Sequence, residues 1–229
     1  MSTLWTVDAM AAAMRAEKSG ALPADVSGLS IDTRSLAKGE AFFAITGDNR
    51  DGHDFVDAAF KAGAGLAVVA RDQRARFAAD ARLLVVADVL DALRDLAYAA
   101  RARSRAKVIG VTGSVGKTST KEALKLALSA DGETHASAAS YNNHWGVPLS
   151  LARLPESAKY AVFEIGMNHA GEITPLTKLV RPHVAIVTSI APVHLEYFGT
   201  LKKIADAKAE IFLGVEPGRG EMEASISWP

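Results

Sequence analysis

The chain has 229 residues, 49% of them hydrophobic, so it is long enough to bury one large core or two modest ones. Lysine plus arginine and aspartate plus glutamate each total 26, and no basic block occurs, so bulk charge gives no indication of a nucleic-acid partner. The absence of cysteine excludes disulfides and thiolate metal sites. With no signal-peptide pattern and no run long enough to span a membrane, the sequence predicts a cytoplasmic protein of two domains.

The first domain is predicted over residues 1–105 and has an α/β pattern. Its predicted elements, in chain order, are a helix capped by Thr6 and ended by Ser19-Gly20, strands at 29–34 and 40–45, a helix at 55–62, strands at 66–70 and 83–87, and a helix at 89–103. The loop at 46–53 is dense in hydrogen-bond donors and acceptors. The basic stretch at 101–105 ends the last helix, where cations oppose the helix dipole favourably, so we expect a solvated helix end rather than a nucleic-acid site.

A glycine-rich segment at 107–121 carries the strongest functional signal. The β-branched residues around Gly110 predict a strand, and the period of the apolar residues after Thr118 predicts a helix. Between them, Gly113 and Gly116 allow successive backbone N–H groups to face one anion, and the following helix adds its positive end. The segment therefore predicts a phosphate-binding loop.

Two side chains next to this loop match the chemistry of a bound nucleotide. Lys117 can reach the β- and γ-phosphates as a point charge, and the Thr118 hydroxyl is placed to ligate Mg²⁺. The usual pattern has glycine five positions before Gly116, where this chain has Val111, so the loop is a variant. The alternative is a strand-to-helix turn that uses glycine without binding a ligand.

Further polar residues follow predicted strands or precede helices downstream. Asn142 and Asn143 precede an apolar helix and either cap it or contact a ligand. Glu164 lies near the end of an apolar strand, as a Mg²⁺-binding acid or as a capped or salt-bridged structural acid. His194 follows the next predicted strand. Because parallel sheets bind ligands beyond the carboxyl ends of their strands, we expect Glu164, His194 and the phosphate loop to converge on one crevice. Lys208 falls in a predicted helix at 201–213, where an exposed lysine is the default expectation.

Five segments taken together resemble the Mur ligases. They are IGVTGSVGKTS at 109–119, NNHWGVP at 142–148, FEIGMNHAGEI at 163–173, APVHLE at 191–196 and AKAEIF at 207–212. Within the family the segments are most similar to those of the members that join D-alanyl-D-alanine to UDP-N-acetylmuramoyl-tripeptide, because members that add the third stem residue typically have Thr-Thr-Pro within the second segment. The likeness extends from about residue 30 to about residue 217.

This resemblance implies an architecture and a set of site residues. It implies a small N-terminal α/β UDP-binding domain, followed by a truncated phosphate-loop, parallel-sheet ATPase domain over 106–217, and an unstructured or foreign tail over 218–229. The implied ATP contacts are Gly113, Ser114, Gly116, Lys117, Thr118 and Ser119. The implied Mg²⁺ ligands are Thr118, Glu164, His194 and Lys208, the last in carbamylated form. The implied substrate contacts are Asp32, Thr33, Arg34, Asp51, His53, Asn142 and Asn143.

The resemblance also implies an activity. It is ATP-dependent amide ligation through an acyl phosphate in peptidoglycan synthesis, with Lys117, Lys208 and His194 as catalytic residues and with small-molecule substrates. Members of the family are longer, so we expect this chain to bind the UDP-linked tripeptide with little or no turnover, and to associate through an exposed sheet edge. Another amide ligase of the superfamily, or a nucleotide-binding module without catalysis, are the alternatives.

Overall fold

The computed structural model describes residues 3–47, 49–138, 141–192 and 195–216. His194 and the predicted tail at 218–229 lie outside the described residues. The chain divides into two compact units, Met1–Ala99 and Ala100–Pro229. Within the described ranges, no helix has both the length and the apolar character needed to cross a membrane.

The first unit is built on a five-stranded mixed sheet. The unit as a whole has seven strands among its described residues, five in this sheet and two in a separate pair. They are β1 (Trp5–Thr6), β2 (Glu17–Ser19), β3 (Asp25–Val26), β4 (Leu29–Ser30), β5 (Ala41–Phe43), β6 (Leu66–Ala70) and β7 (Leu83–Val86). Its helices are α1 (Val7–Met14), α2 (Val56–Ala62) and the start of α3 (Val89–Arg103), with 3₁₀ turns at Gly52–Phe55 and Arg71–Arg76. The sheet order is β2-β7-β6-β5-β4, in which β4 to β7 are parallel and β2 is antiparallel, while β1 pairs separately with β3.

The first helix is shorter than the sequence predicts. Thr6 caps it as expected, because the Thr6 hydroxyl accepts a hydrogen bond from the Ala9 amide at 3.3 Å. The predicted end at Ser19-Gly20 is wrong. Arg15 takes the left-handed conformation at φ 51°, which stops the helix, and Glu17–Ser19 pairs with β7 instead. Pairing with a distant strand therefore overrides the local helical pattern.

The second unit is built on a four-stranded parallel sheet of order β11-β8-β10-β9. Its strands are β8 (Lys107–Thr112), β9 (Thr134–Ala136), β10 (Tyr160–Glu164) and β11 (Val184–Val187). Its helices are α4 (Lys117–Ser129), α5 (Gly146–Ala152), α6 (Ile173–Val180), α7 (Leu195–Phe198) and α8 (Leu201–Ala209), followed by a 3₁₀ turn at Glu210–Gly214. Because the strands are parallel, the segments that follow β8, β10 and β11 all lie at the same end of the sheet, beyond the carboxyl ends of the strands. The predicted α/β fold class is confirmed.

Apolar side chains hold the second unit together around β8 and β10. Val108, Val111 and Phe163 are fully buried, and Leu149 from α5 joins them. By contrast β11 lies at one edge of the described sheet, with Val184 52% exposed. The central strands are therefore the rigid support for whatever is bound at their carboxyl ends. Association through the β11 edge stays a prediction.

Candidate functional site

The glycine-rich segment connects β8 to α4, as the sequence predicts. Gly113 has φ +152°, and a Cβ at this position would collide with the Thr188 hydroxyl. Gly116 has φ +88° and forms the N-cap of α4. Both backbone conformations favour glycine strongly over residues with a side chain. The loop can therefore bring its backbone close to a ligand.

The loop is held in place by the segment that follows β11. Ser114 donates its amide to the Ser189 carbonyl at 2.8 Å, and the Ser114 hydroxyl accepts from the Ala191 amide at 3.0 Å. Thr188 donates its hydroxyl to the Val115 carbonyl at 2.6 Å. The Ser114 side chain is thus engaged within the protein, and these bonds preorganise the loop. Sequence reasoning did not identify Thr188 or Ser189.

The start of α4 provides positive charge without an internal anion. In the described part of the chain no side chain caps this helix, so its first-turn amides are available to an anion. Lys117 lies in this turn and donates its ammonium to the Gly113 carbonyl at 2.8 Å, which folds it back across the loop. Ser119 also lies in this turn. The arrangement suits a phosphate chain.

Thr118 and Glu164 meet directly beside the loop. The Thr118 hydroxyl donates to Glu164 Oε2 at 2.9 Å, and Glu164 is only 1% exposed. Adjacent ligands of an octahedral Mg²⁺ ion with bonds of 2.0–2.1 Å are separated by about 2.9 Å, so these two oxygens fit such an ion. Among the described residues there is no group of three or more His, Asp or Glu side chains suited to a metal. Mg²⁺ usually takes its remaining ligands from water and from substrate phosphates.

The two predicted amides are both hydrogen-bonded within the protein. Asn142 donates its side-chain amide to Glu164 Oε1 at 2.8 Å. The Asn143 side-chain oxygen accepts from the Gly146 amide at 2.9 Å at the start of α5, which is a capping contact. A role of either residue toward a substrate stays a prediction.

Lys208 is buried, which corrects the expectation of an exposed lysine in this helix. It is 3% exposed, and burial, together with the charge of Lys117, lowers the pKa of Lys208 from 10.5 to about 8. Burial is the larger of these two causes, and the Lys117 charge adds to it. The structure thus brings together Lys117, Thr118, Asn142 and Glu164, while Lys208 is linked to them only by the effect of the Lys117 charge on its pKa.

Lys121, on α4, is a second buried lysine. Lys121 is fully buried and donates its ammonium to the Ser137 carbonyl at 2.9 Å, with Glu122 at 3.0 Å. Lys121 lies three residues after Thr118, on the same face of the helix. The three-residue spacing from Thr118 is the sequence signal that could have indicated that Lys121 lies near the site.

The first unit contains a cavity of about 320 Å³ at the carboxyl ends of its parallel strands. It is lined by Ile45, Thr46, His53, Ala70, Asp88, Val89, Leu90, Asp91 and Arg94. Sequence reasoning identified His53 but missed the residues at the start of α3. The available signal was Asp88 after the apolar run of β7, where its carboxylate caps α3 by accepting from the Asp91 amide at 2.8 Å.

His53 is buried in a closed hydrogen-bond network. Its Nε2 accepts from the Ala70 amide at 3.0 Å, so the ring proton lies on Nδ1, 2.6 Å from Asp51 Oδ1. Burial alone would raise the pKa of Asp51, but hydrogen bonds from His53 and Thr46 lower this pKa to about 2. Both ring nitrogens are therefore used within the protein.

The Asp32-Thr33-Arg34 turn follows β4. The carboxylate of Asp32 accepts from the Arg34 amide and from Arg34 Nε, both at 2.9 Å. The side-chain hydrogen bond from Arg34 is the main cause that lowers the pKa of Asp32 to about 2. None of these three residues is among those that line the cavity as described.

A glycine loop on a parallel sheet, with a lysine, a threonine and a buried strand-end acid, is the arrangement typical of phosphate-loop nucleotide-binding proteins. Two family models match this chain: "Mur ligase middle domain" over residues 111–222 and "Mur ligase family, catalytic domain" over residues 25–101. The chain therefore belongs to the Mur ligase family, which confirms the resemblance noted in the sequence.

Several relatives with curated names share one description, "UDP-N-acetylmuramoyl-tripeptide--D-alanyl-D-alanine ligase". The protein of this name from Rickettsia prowazekii (strain Madrid E) is 37% identical over 91% of this chain and 45% of its own length. The one from Escherichia coli (strain K12) is 43% identical over 82% of this chain and 40% of its own length. The chain thus spans less than half the length of these relatives.

Solved structures agree with this family assignment. MurF from Acinetobacter baumannii superimposes with a TM-score of 0.80 at 36% identity, over 93% of this chain and 47% of that one. MurF ligase from Thermotoga maritima, in complex with ADP, gives a TM-score of 0.68 at 31% identity, over 82% of this chain and 43% of that one.

Proposed function

We propose that this chain contributes the UDP-substrate-binding and ATP-binding parts of an amide ligase that joins D-alanyl-D-alanine to UDP-N-acetylmuramoyl-tripeptide in peptidoglycan synthesis. The observation that carries the proposal is the Thr118–Glu164 pair, 2.9 Å apart beside the glycine loop and Lys117. The names of the relatives support the substrate assignment.

In this proposal the second unit binds Mg²⁺ and ATP. The loop amides and the start of α4 hold the phosphates, and Lys117 turns from the Gly113 carbonyl to the β/γ-phosphate region. Thr118 and Glu164 would hold Mg²⁺, which would supply charge neutralisation at the γ-phosphate when bound. Ser114 keeps its bonds to the segment after β11 and thereby fixes the loop.

The reaction needs two anions to meet. A peptide carboxylate oxygen bonds to the γ-phosphorus of ATP as the bond to ADP breaks. The amine of D-alanyl-D-alanine then attacks the activated carbonyl, and phosphate leaves as the amine loses a proton. Lys117 and the loop amides offset the repulsion between carboxylate and phosphate, and they are already in position before the charge moves.

Lys208 has a separate proposed role as a carbamylated metal ligand. A pKa of about 8 leaves part of the amine neutral near neutral pH. The neutral nitrogen can attack CO₂, forming an N–C bond and releasing a proton, which converts a cation next to Lys117 into an anion. With His194, this carbamate would hold a second Mg²⁺. A ¹³C NMR signal that appears with ¹³C-bicarbonate and is lost in Lys208→Ala would support this role.

For the first unit we propose that the cavity beside His53 accepts part of the uridine nucleotide. The cavity lies beyond the carboxyl ends of parallel strands, where such sheets bind ligands. Asp51 would act by fixing the His53 ring, and the Asp32-Thr33-Arg34 turn would contact the nucleotide outside the cavity. Asn143 would lie on the muramoyl-peptide side of the second unit.

Calorimetry on the purified chain tests the proposal. We expect UDP-N-acetylmuramoyl-tripeptide to bind more tightly than the dipeptide form, and Mg²⁺-ATP to bind as well. The double variant Asp32→Ala/Arg34→Ala should bind UDP-N-acetylmuramoyl-tripeptide more weakly and should bind Mg²⁺-ATP with unchanged affinity. Preference for the dipeptide form would indicate a different Mur ligase. Binding of Mg²⁺-ATP without any muramoyl precursor would indicate a nucleotide-binding module without this activity.

A further inference from the structure

Asn142 is held at the end of β10 by two hydrogen bonds. Its side-chain amide donates to Glu164 Oε1 at 2.8 Å, and its carbonyl accepts from the Gly166 amide at 2.8 Å. A Cβ on Gly166 would lie 2.9 Å from the Asn142 side-chain oxygen, so the Asn142 amide group occupies the space that glycine leaves open. The backbone and the side chain of Asn142 are therefore both seated on this strand end.

The contact determines which way the Glu164 carboxylate faces. Rotation of a glutamate carboxylate about its last bond is broad and weakly restrained, so its orientation depends on its hydrogen-bond partners. Here Oε1 is held by Asn142 and Oε2 accepts from Thr118. When a cation replaces the hydrogen bond from the Thr118 hydroxyl, the Asn142 bond can remain. Oε2 then stays directed at the cation.

We propose that Asn142 is a positioning residue for the metal-binding carboxylate of Glu164, and that its side-chain amide does not contact the muramoyl peptide. This inference rests on the proposed Mg²⁺ and ATP site. Residues that orient a metal ligand typically contribute about 10- to 100-fold to metal affinity. Asn142 acts on the metal through Glu164, because its side-chain amide donates to that carboxylate.

The test is a Mg²⁺ titration of the unmodified chain and its variants, with adenylyl imidodiphosphate as the nucleotide. Asn142→Ala removes the donor, and Asn142→Leu removes it while preserving the side-chain volume. We expect each to lower Mg²⁺ affinity by about 10- to 100-fold. Nucleotide binding in EDTA and binding of UDP-N-acetylmuramoyl-tripeptide should change by less than about twofold, within the ordinary variation of independent sites.

Two further variants separate positioning from general structural damage. Thr134→Ala is the control, because it removes a side-chain hydrogen bond to the Gly132 carbonyl at the start of β9, at the other end of the parallel sheet from Glu164, and should leave Mg²⁺ affinity unchanged. Glu164→Gln removes the carboxylate itself. In that background, Asn142→Ala should produce no further loss of Mg²⁺ affinity, since a residue that acts through Glu164 has nothing left to position.

The outcomes distinguish this inference from the proposed function. Unchanged Mg²⁺ affinity in both Asn142 variants, or a loss confined to the UDP-linked tripeptide, would overturn the inference and leave the ATP site standing. A full additional loss in the Glu164→Gln background would also overturn it. If the unmodified, folded chain shows no Mg²⁺-dependent nucleotide binding, the proposed function fails and the inference fails with it.

Discussion

The two units differ in whether their titratable side chains have partners of opposite charge within the protein. In the first unit, His53 has both ring nitrogens bonded, to Asp51 and to the Ala70 amide, and the carboxylate that it faces is also bonded to Thr46. In the second unit, Lys117 is bonded to a carbonyl, and no carboxylate among the described residues pairs with Lys208. The hydrogen bonds around His53 form a closed network, in which both ring nitrogens have partners within the protein. Lys117 and Lys208 instead have no carboxylate partner among the described residues, so they leave an excess of positive charge.

This difference shows which site depends on its ligand. A buried cation without an anionic partner costs folding free energy, and the cost is recovered when an anion binds. A closed network such as the one around His53 contributes to the stability of the unit with or without ligand. We therefore expect substitutions of the lysines to change binding and pH dependence, and substitutions of His53 to change stability.

The largest effect is expected for Lys117→Met. Removing the cation that faces the phosphates should lower Mg²⁺-ATP affinity about 100-fold, or about 3 kcal/mol, because charge-assisted hydrogen bonds are the strongest polar contacts. Calorimetry measures it directly. Lys125→Met, at an exposed position on the same helix, is the control and should bind normally. Equal affinity for the two variants would mean that the surplus charge does not serve the nucleotide.

The second effect is a pH dependence of stability that originates at Lys208. Its pKa is about 8 in the folded chain and near 10.5 when unfolded. Between these values the unfolded state holds more protons, so stability should rise with pH, by up to about 3 kcal/mol for this one group. Urea unfolding at pH 7 to 10.5, in CO₂-free buffer with EDTA, measures the rise.

Lys208→Met should remove that rise, because the titrating group is gone. Lys202→Met is the control, since Lys202 is exposed and paired with Asp206, and it should leave the pH dependence intact. The same slope in unmodified chain and Lys208→Met would show that Lys208 is not the group responsible.

Most of this architecture could be predicted from local sequence patterns. The strand–loop–helix order around Gly113 and Gly116 follows from residue type and spacing, and β6 and α3 match their predicted ranges. Predictions failed where pairing with a distant strand decided the outcome. Glu17–Ser19 and Thr134–Ala136 form short strands without any alternation of apolar residues. Their structure depends on the neighbouring strand, which local sequence does not reveal.

The site was harder to predict than the fold. Residue type indicated Lys117, Thr118 and Glu164, because their chemistry and spacing point to nucleotide and metal. Burial of Lys121 and Lys208 depends on tertiary packing, and composition favours exposure for lysine. Asn142 was recognised as polar and well placed, but only the structure gives the atom to which its amide donates.

His53→Ala should destabilise the first unit by about 2 kcal/mol or more, because it leaves a cavity and an unpaired Ala70 amide and removes the hydrogen bond between the His53 ring and Asp51. Urea unfolding of the chain measures the loss. The affinity of the second unit for Mg²⁺-ATP should be unchanged in the folded variant. His144→Ala, at an exposed position, is the control and should leave stability within about 0.5 kcal/mol. A stable His53→Ala variant would contradict the closed-network description.

The smallest stability effect is expected for Arg34→Ala. Arg34 is 87% exposed, and exposed ion pairs contribute less than about 1 kcal/mol, so the free energy of unfolding should barely change. If the Asp32-Thr33-Arg34 turn contacts the uridine nucleotide, the same variant should nevertheless bind UDP-N-acetylmuramoyl-tripeptide more weakly. Arg71→Ala breaks a comparable exposed pair with Glu17 and should change neither quantity. If Arg34→Ala instead loses stability but binds UDP-N-acetylmuramoyl-tripeptide normally, the Asp32-Thr33-Arg34 turn has a structural role and does not contact the nucleotide.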